Sequence, residues 1–271
     1  GDPQVRAHAK YLRSATFGNP HSTNPTSLRS TKEVELVREV VLAFFNASPE
    51  EYDVVFTSNA TGAIKLVGEA YPFGPKRPFC YLIDNHNSVV GVREIAKAKQ
   101  ASVLVPLIMK PTLEIDPFDL KKKLTTRNPG LFVYPAQSNF TGVQHSLKWI
   151  EKAQTLGWTV LLDAAAFVPT NRLDLSRCHP DFVCMSFYKI FGWPTGVGCL
   201  IAKKTALAAL IRPAFSGGTI DFVSVLGDQY KLTKGASGFE DGTVNFLNLP
   251  AVSIGLHYVN QIGIEKIHAR V

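Results

Sequence analysis

Two residues stand where a side chain could do chemistry. Lys189 lies between aromatics, with a glycine close behind, in Ser186-Phe187-Tyr188-Lys189-Ile190-Phe191-Gly192, and Asp163 closes the apolar run Val160-Leu161-Leu162. Aromatic neighbours are an odd setting for a solvated ammonium. A semi-buried, cation-rich environment would lower the amine's pKa and make it both nucleophile and base. An aspartate at the end of a hydrophobic strand either caps the next turn or pairs with a protonated ring nitrogen. The turn Thr57-Ser58-Asn59-Ala60-Thr61-Gly62 is small, hydroxyl-rich and opens a helix. Such a turn binds phosphate through backbone N–H groups and the helix dipole, or serves as an ordinary cap. His86, in Asp84-Asn85-His86-Asn87-Ser88, reads as an exposed loop residue, a metal ligand or an aromatic plate for a flat cofactor. No second His or Cys sits at ligand spacing, which sets the metal reading aside. A lysine, an aspartate and phosphate-binding hydroxyls at successive strand ends are what pyridoxal-phosphate chemistry requires. The lysine attaches the aldehyde as an imine, and the aspartate keeps the pyridinium charged.

The elements that must position these residues can be read from apolar runs. Val54-Val55-Phe56, Phe79-Cys80-Tyr81-Leu82-Ile83, Val103-Leu104-Val105, Leu131-Phe132-Val133-Tyr134, Val160-Leu161-Leu162, Phe182-Val183-Cys184-Met185 and Cys199-Leu200-Ile201 predict about seven strands. Their continuous apolarity indicates burial on both faces, with helical segments between them as covering layers. The fold class is therefore α/β, a three-layer sandwich around a roughly seven-stranded, mostly parallel sheet, in which ligand groups collect at the C-terminal strand ends. Val34, Val37, Val41 and Phe44 recur at helical spacing, predicting a helix over 32–46 that ends before Pro49. Residues 212–245 look looser, with Gly217, Gly218, Gly235, Gly238 and Gly242. A helix-like run follows over 245–262, with Pro250 in its first turn or interrupting it.

Composition is ordinary for a globular chain, with 45% hydrophobic and 19% charged residues among 271. Lys and Arg outnumber Asp and Glu by 29 to 22, yet the basic residues are scattered. Lys121-Lys122-Lys123 and Lys203-Lys204 lack interleaved aromatics and read as solvated helix faces, so no nucleic-acid partner is expected. No apolar stretch reaches the roughly 18 residues that span a bilayer, and the N-terminus has no signal-peptide core. Cys80, Cys178, Cys184 and Cys199 form no C-x-x-C pair and lie mostly in apolar runs, as buried thiols of a reducing compartment do. A soluble, cytoplasmic protein is expected. The chain lacks an initiator Met and stops just after a helical pattern, which suggests a fragment.

The motifs as a set resemble the class V aminotransferase-like enzymes, and within them the cysteine desulfurases and especially the molybdenum-cofactor sulfurases. The resemblance runs from Phe17-Gly18-Asn19-Pro20-His21-Ser22 to Phe239-Glu240-Asp241-Gly242-Thr243. It is most specific at Tyr134-Pro135-Ala136-Gln137-Ser138-Asn139-Phe140 and at the lysine string. It implies the fold type I architecture of pyridoxal-phosphate transferases. Lys189 would be the imine lysine, Asp163 the partner of the ring nitrogen and His86 the stacked, catalytic imidazole. Ala60, Thr61 and Ser186 would bind phosphate, and Asn139 would lie near the ring hydroxyl and the substrate carboxylate. Thr243 resembles the residue that reaches a neighbour's phosphate across a homodimer interface. Implied with these are L-cysteine as substrate and the molybdenum cofactor as sulfur acceptor. Residues 1–271 would be the large pyridoxal-phosphate domain, incomplete at both ends, without the small C-terminal subdomain or the molybdopterin-handling domain.

Three departures from the family pattern matter. Many desulfurases place Gln three residues after the aspartate, where this chain has Ala166, and His before the lysine, where it has Tyr188. Tyr188 could bond phosphate, act as an acid or simply pack. The third departure is that none of the four cysteines replaces the sulfur-accepting loop cysteine, since three fall in predicted strands and Cys178 in a turn. A C–S lyase, another class V enzyme of a specialised pathway, or a truncated, non-catalytic paralogue are accordingly the alternatives to a sulfurase.

Overall fold

The computed structural model describes residues 1–20, 22–211 and 217–271. His21 and residues 212–216, the start of the glycine-rich stretch, lie outside the described residues. In chain order the elements are α1 (Asp2–Arg13), α2 (Pro25–Phe44), β1 (Tyr52–Thr57), α3 (Ala60–Ala70), β2 (Phe79–Tyr81), α4 (Asn87–Ala98), β3 (Val103–Leu104), α5 (Pro117–Leu124), β4 (Leu131–Pro135), α6 (Lys148–Thr155), β5 (Thr159–Asp163) and β6 (Phe182–Ser186). They continue with α7 (Phe187–Phe191), β7 (Gly198–Lys203), α8 (Lys204–Ala208), β8 (Ile220–Val223), β9 (Tyr230–Leu232), α9 (Leu249–Ile262) and α10 (Ile264–His268).

The seven predicted apolar runs are the seven strands of one sheet, ordered β1-β7-β6-β5-β4-β2-β3. Only β7 runs against its neighbours, pairing antiparallel with β1 and β6. The other pairings are parallel. Alternate strand residues feed two cores. Val54, Phe132, Leu162, Val183 and Ile201 pack with α2, α6 and α9 on one face, while Val55, Val133, Leu161, Cys184 and Leu200 pack with α3 and α4 on the other. Each fully buried Val, Leu or Phe contributes roughly 1.5–3 kcal/mol, so both faces are stabilised by covering and the strands have no need of polar alternation.

Capping residues moved some boundaries. Helix α2 begins at Pro25, not at residue 32, because the Asn24 side chain accepts from Ser27 N–H at 3.0 Å and Pro25 suits the first helical turn. It ends at Phe44 because Asn46 takes φ 51° and Ala47 N–H reaches back to Leu42 O at 2.9 Å, a Schellman-type closure that acts before Pro49. Helix α1 and the β8–β9 hairpin were not foreseen. The N-terminal helix is tied down by His8, whose Nε2 lies 2.8 Å from Leu247 O while its Nδ1 accepts from Trp193 Nε1 at 3.2 Å. Pro250 sits in the first turn of α9, where its missing N–H costs nothing.

Candidate active site

Asp163 is the last residue of β5, and β6 runs parallel beside it, so the segment after Ser186 emerges at the same sheet edge. The Asp163 carboxyl is 6% exposed and its Oδ1 accepts from Ala165 N–H at 3.0 Å. Burial raises its pKa above the usual carboxylate value; the Ala165 bond and the attraction of Lys189 and His86 act in the opposite direction. Lys189 stands in α7. Phe187 and Phe191, four residues apart, turn into the core, which leaves Tyr188 and Lys189 on the open face of that short helix. The expected semi-buried lysine is therefore an exposed one in the isolated chain. Tyr188, 40% exposed, is likewise not a packed core aromatic.

The first turn of α3 reaches the same edge from β1. The Asn59 side chain accepts from Gly62 N–H at 2.9 Å, and Ala60 N–H donates to Ser186 Oγ at 2.9 Å. This second bond ties the helix start to the end of β6, and exposed Thr61 stands beside it. The close approach depends on Gly198 of β7, where a Cβ would meet Asn59 Cα and Met185 O at 2.6 Å each.

His86 caps α4. Ser88 N–H can only donate, and it lies 3.1 Å from His86 Nδ1, so that nitrogen is an acceptor and the neutral ring carries its proton on Nε2. Asn139 sits in the turn between Gln137 and Gln144, which form an isolated antiparallel bridge. A buried pair missed in the sequence fixes both loops. Asp84 Oδ2 lies 2.8 Å from His145 Nε2, with each side chain 2% exposed, and Ser138 Oγ donates to Asp84 O at 2.8 Å. Asp84 precedes His86 by two residues, but its partner lies far along the chain, so no local spacing announces the pair.

Ala60, Thr61, His86, Asn139, Asp163, Ser186, Tyr188 and Lys189 all line one cavity of about 250 Å³ at the C-terminal strand ends. Three of its other walls, Asn59, Ser88 and Gln137, fall in the strand-end segments read from the sequence, which assigned them no individual role. Thr243 is not among them. It lines a separate cavity of about 710 Å³ on the other flank of the α3 turn, with Thr57, Ser58, Lys65 and Asp241. The arrangement offers a primary amine, a buried acid, an imidazole of fixed tautomer and a helix N-terminus suited to an anion. No cysteine lines the Lys189 cavity, although the Cys184 thiol hydrogen-bonds the Asp163 carboxyl. Cys80, Cys184 and Cys199 are wholly buried, which pushes their thiols up, and Cys178 lines a different cavity with its thiol pushed up to about 11. Among the described residues, no three His, Cys, Asp or Glu side chains gather in a metal-binding group. Nor is any described helix long and apolar enough to cross a membrane.

A family model described as aminotransferase class-V matches residues 2–271. Over 97% of its length the chain is 40% identical to a molybdenum cofactor sulfurase from Bos taurus, covering 32% of that protein. It is 37% identical over 98% of its length to one from Solanum lycopersicum, covering 37%. The chain thus spans about a third of the length of these curated relatives. Among solved structures, the apo cysteine desulfurase of Thermococcus onnurineus superposes with a TM-score of 0.83 at 26% identity, over 97% of this chain and 65% of that one. The cysteine desulfurase CsdA of Escherichia coli shares the fold, with a TM-score of 0.82 at 23% identity over 97% of this chain and 66% of that one.

Proposed function

The chain belongs to the aminotransferase class-V family, and from that premise we propose that it binds pyridoxal 5'-phosphate and forms the desulfurase part of an enzyme that sulfurates the molybdenum cofactor. One observation carries the reading: Asp163 at the end of β5 and Lys189 in α7, just past the adjacent parallel strand β6, share a cavity with the anion-suited first turn of α3. The sulfurase relatives supply the choice of pathway.

The residues present fit the cofactor. Asp163 is a buried carboxylate whose hydrogen bonds come from neutral groups, the Ala165 N–H and the Cys184 thiol, so a ring N–H⁺ placed there would relieve its burial. Thr61 and the Ser186 hydroxyl, oriented by the Ala60 N–H, would hold the phosphate, with Tyr188 in reach of the same cavity. When bound, pyridoxal phosphate supplies an electron sink conjugated to the substrate Cα. Asp163 keeps the ring nitrogen protonated. Lys189 Nζ would hold the cofactor's aldehyde carbon and, once free, would carry the substrate α-proton. His86 covers one face, excludes water and offers its Nε2 proton, while Asn139 orients the substrate carboxylate. With L-cysteine as substrate, the C–S bond breaks, sulfur forms an S–S bond with an acceptor thiol and alanine leaves. The persulfide's outer sulfur would then replace an oxo ligand of the molybdenum cofactor, a second thiol supplying the two electrons as a disulfide forms and the oxo group leaving as water. Three of the four thiols are buried and the fourth, Cys178, lines a different cavity, so the reading takes the acceptor to be a cysteine other than these.

We take residues 1–271 as the large pyridoxal-phosphate domain and a homodimer as the working unit. Support for the dimer comes from Thr243, which lies outside the Lys189 cavity yet beside the same helix turn, where it could serve a neighbour's phosphate. Four unpaired cysteines suit a reducing compartment such as the cytoplasm. The same buried thiols favour one alternative, a C–S lyase that needs no acceptor. Product analysis with L-cysteine separates the two: the desulfurase releases alanine and leaves persulfide, whereas the lyase releases pyruvate and sulfide. Both activities should vanish in Lys189→Ala, and turnover that survives this substitution would refute either reading.

A further inference from the structure

Gln137 lines the Lys189 cavity, is half-buried and has no part in the chemistry above. Its amide orientation can be fixed from its neighbours. Asn171, 8% exposed, places Nδ2 3.1 Å from Phe167 O and 3.0 Å from Thr170 Oγ1. A carbonyl only accepts, so that atom of Asn171 is the nitrogen. It lies 3.2 Å from Gln137, which must therefore present Oε1 to it. Gln144 agrees, since its Nε2 donates to Asn171 Oδ1 at 3.2 Å and leans toward Gln137 Oε1 at 3.5 Å. By elimination, the Gln137 Nε2 is the end turned away from this cluster, a donor with no partner among the described residues.

Cofactor chemistry says what belongs opposite that donor. On the pyridoxal ring, the aldehyde is flanked by the phosphate arm on one side and a ring oxygen on the other, and the nitrogen lies across from it. With the nitrogen at Asp163 on β5, the aldehyde at Lys189 after β6 and the phosphate arm at α3, which packs against β1, β7 and β6, the ring oxygen on the opposite flank of the aldehyde faces away from α3. The strand on that side of β5 is β4, and Gln137 follows its end. Ala166, which lines the cavity after β5, has no side-chain donor to offer.

We propose that Gln137 donates its Nε2 hydrogen bond to the cofactor's ring oxygen, with Asn171 as the positioning residue that holds its amide in that sense. The assignment rests on the pyridoxal-phosphate reading and leaves Asn139, exposed at the turn, to the substrate. Its test is titration of the intact apoprotein with pyridoxal phosphate, following both dissociation constant and visible band position. Gln137→Met keeps the volume and removes the donor. It should weaken binding about tenfold, the equivalent of one hydrogen bond of about 1.4 kcal/mol, and shift the band. Gln137→Glu should weaken binding further by setting a carboxylate against the ring oxygen. Asn171→Leu should reproduce part of both effects. An unchanged constant and band in Gln137→Met and Gln137→Glu, with Asn139→Ala altering both, would overturn the assignment and leave the cofactor reading intact. If the wild-type protein gives no visible band at all, the cofactor reading fails and the assignment fails with it.

Discussion

Asp163 makes the clearest forecast at the scale of single residues. Its folded pKa is raised by burial, so between the unfolded value and that raised value the folded state holds the proton more tightly. Stability therefore falls as pH rises through this window, and at neutral pH the ionised carboxylate is a cost to the cofactor-free fold. Asp163→Asn should raise the melting temperature of the apoprotein at pH 7, with the gain shrinking toward acid pH, while it abolishes turnover. A lower melting temperature at pH 7 would show that the carboxylate is structurally satisfied without a cofactor. Both Asp163 and Lys189 were legible in the sequence because Asp163 directly follows, and Lys189 closely follows, an apolar run that reads as a buried strand. Gln137 and His145 were not legible as site residues, because their meaning depends on Asn171 and Asp84, which no spacing rule connects to them.

Among the elements, the cavity depends on contacts between segments distant in sequence. Gly198→Ala would drive a methyl into backbone atoms of Asn59 and Met185, which cannot rotate away. The substitution should destabilise the protein by about 1–3 kcal/mol and weaken phosphate binding more than ring binding, read as a greater loss of affinity for pyridoxal phosphate than for pyridoxal. The segment that carries Thr243 is bolted to the edge strand β1 by Glu240, which accepts from Phe56 N–H at 2.8 Å and pairs in two places with Arg38 at 2.8 Å. Both side chains are under a tenth exposed. Arg38→Leu should cost about 3–5 kcal/mol in a denaturant titration, and the Arg38→Leu/Glu240→Leu pair less than the sum of its singles. Strand number and position were readable because buried strands have continuous apolar runs. The start of α2 and the whole of α1 were missed, because the Asn24 cap precedes a polar stretch and the N-terminal helix binds through His8 rather than through an apolar stripe.

For the whole molecule, the proposed division of one site between two chains has a direct consequence. Lys189→Ala should be inactive, and Thr243→Ala should lose about tenfold in activity at limiting cofactor. Mixed dimers of the two variants contain one site with both residues intact, so an equal mixture should recover about a quarter of wild-type activity. No recovery in verified mixed dimers would place Thr243 outside the site. The central claim is nearer to hand, that the strand-end cavity holds pyridoxal phosphate through Lys189. It is tested most directly by borohydride reduction of the cofactor-loaded protein followed by peptide mapping in the mass spectrometer. The predicted result is a pyridoxyl-phosphate adduct on the peptide containing Lys189 and on no other lysine; an adduct elsewhere, or none in protein that has taken up the cofactor, would contradict it.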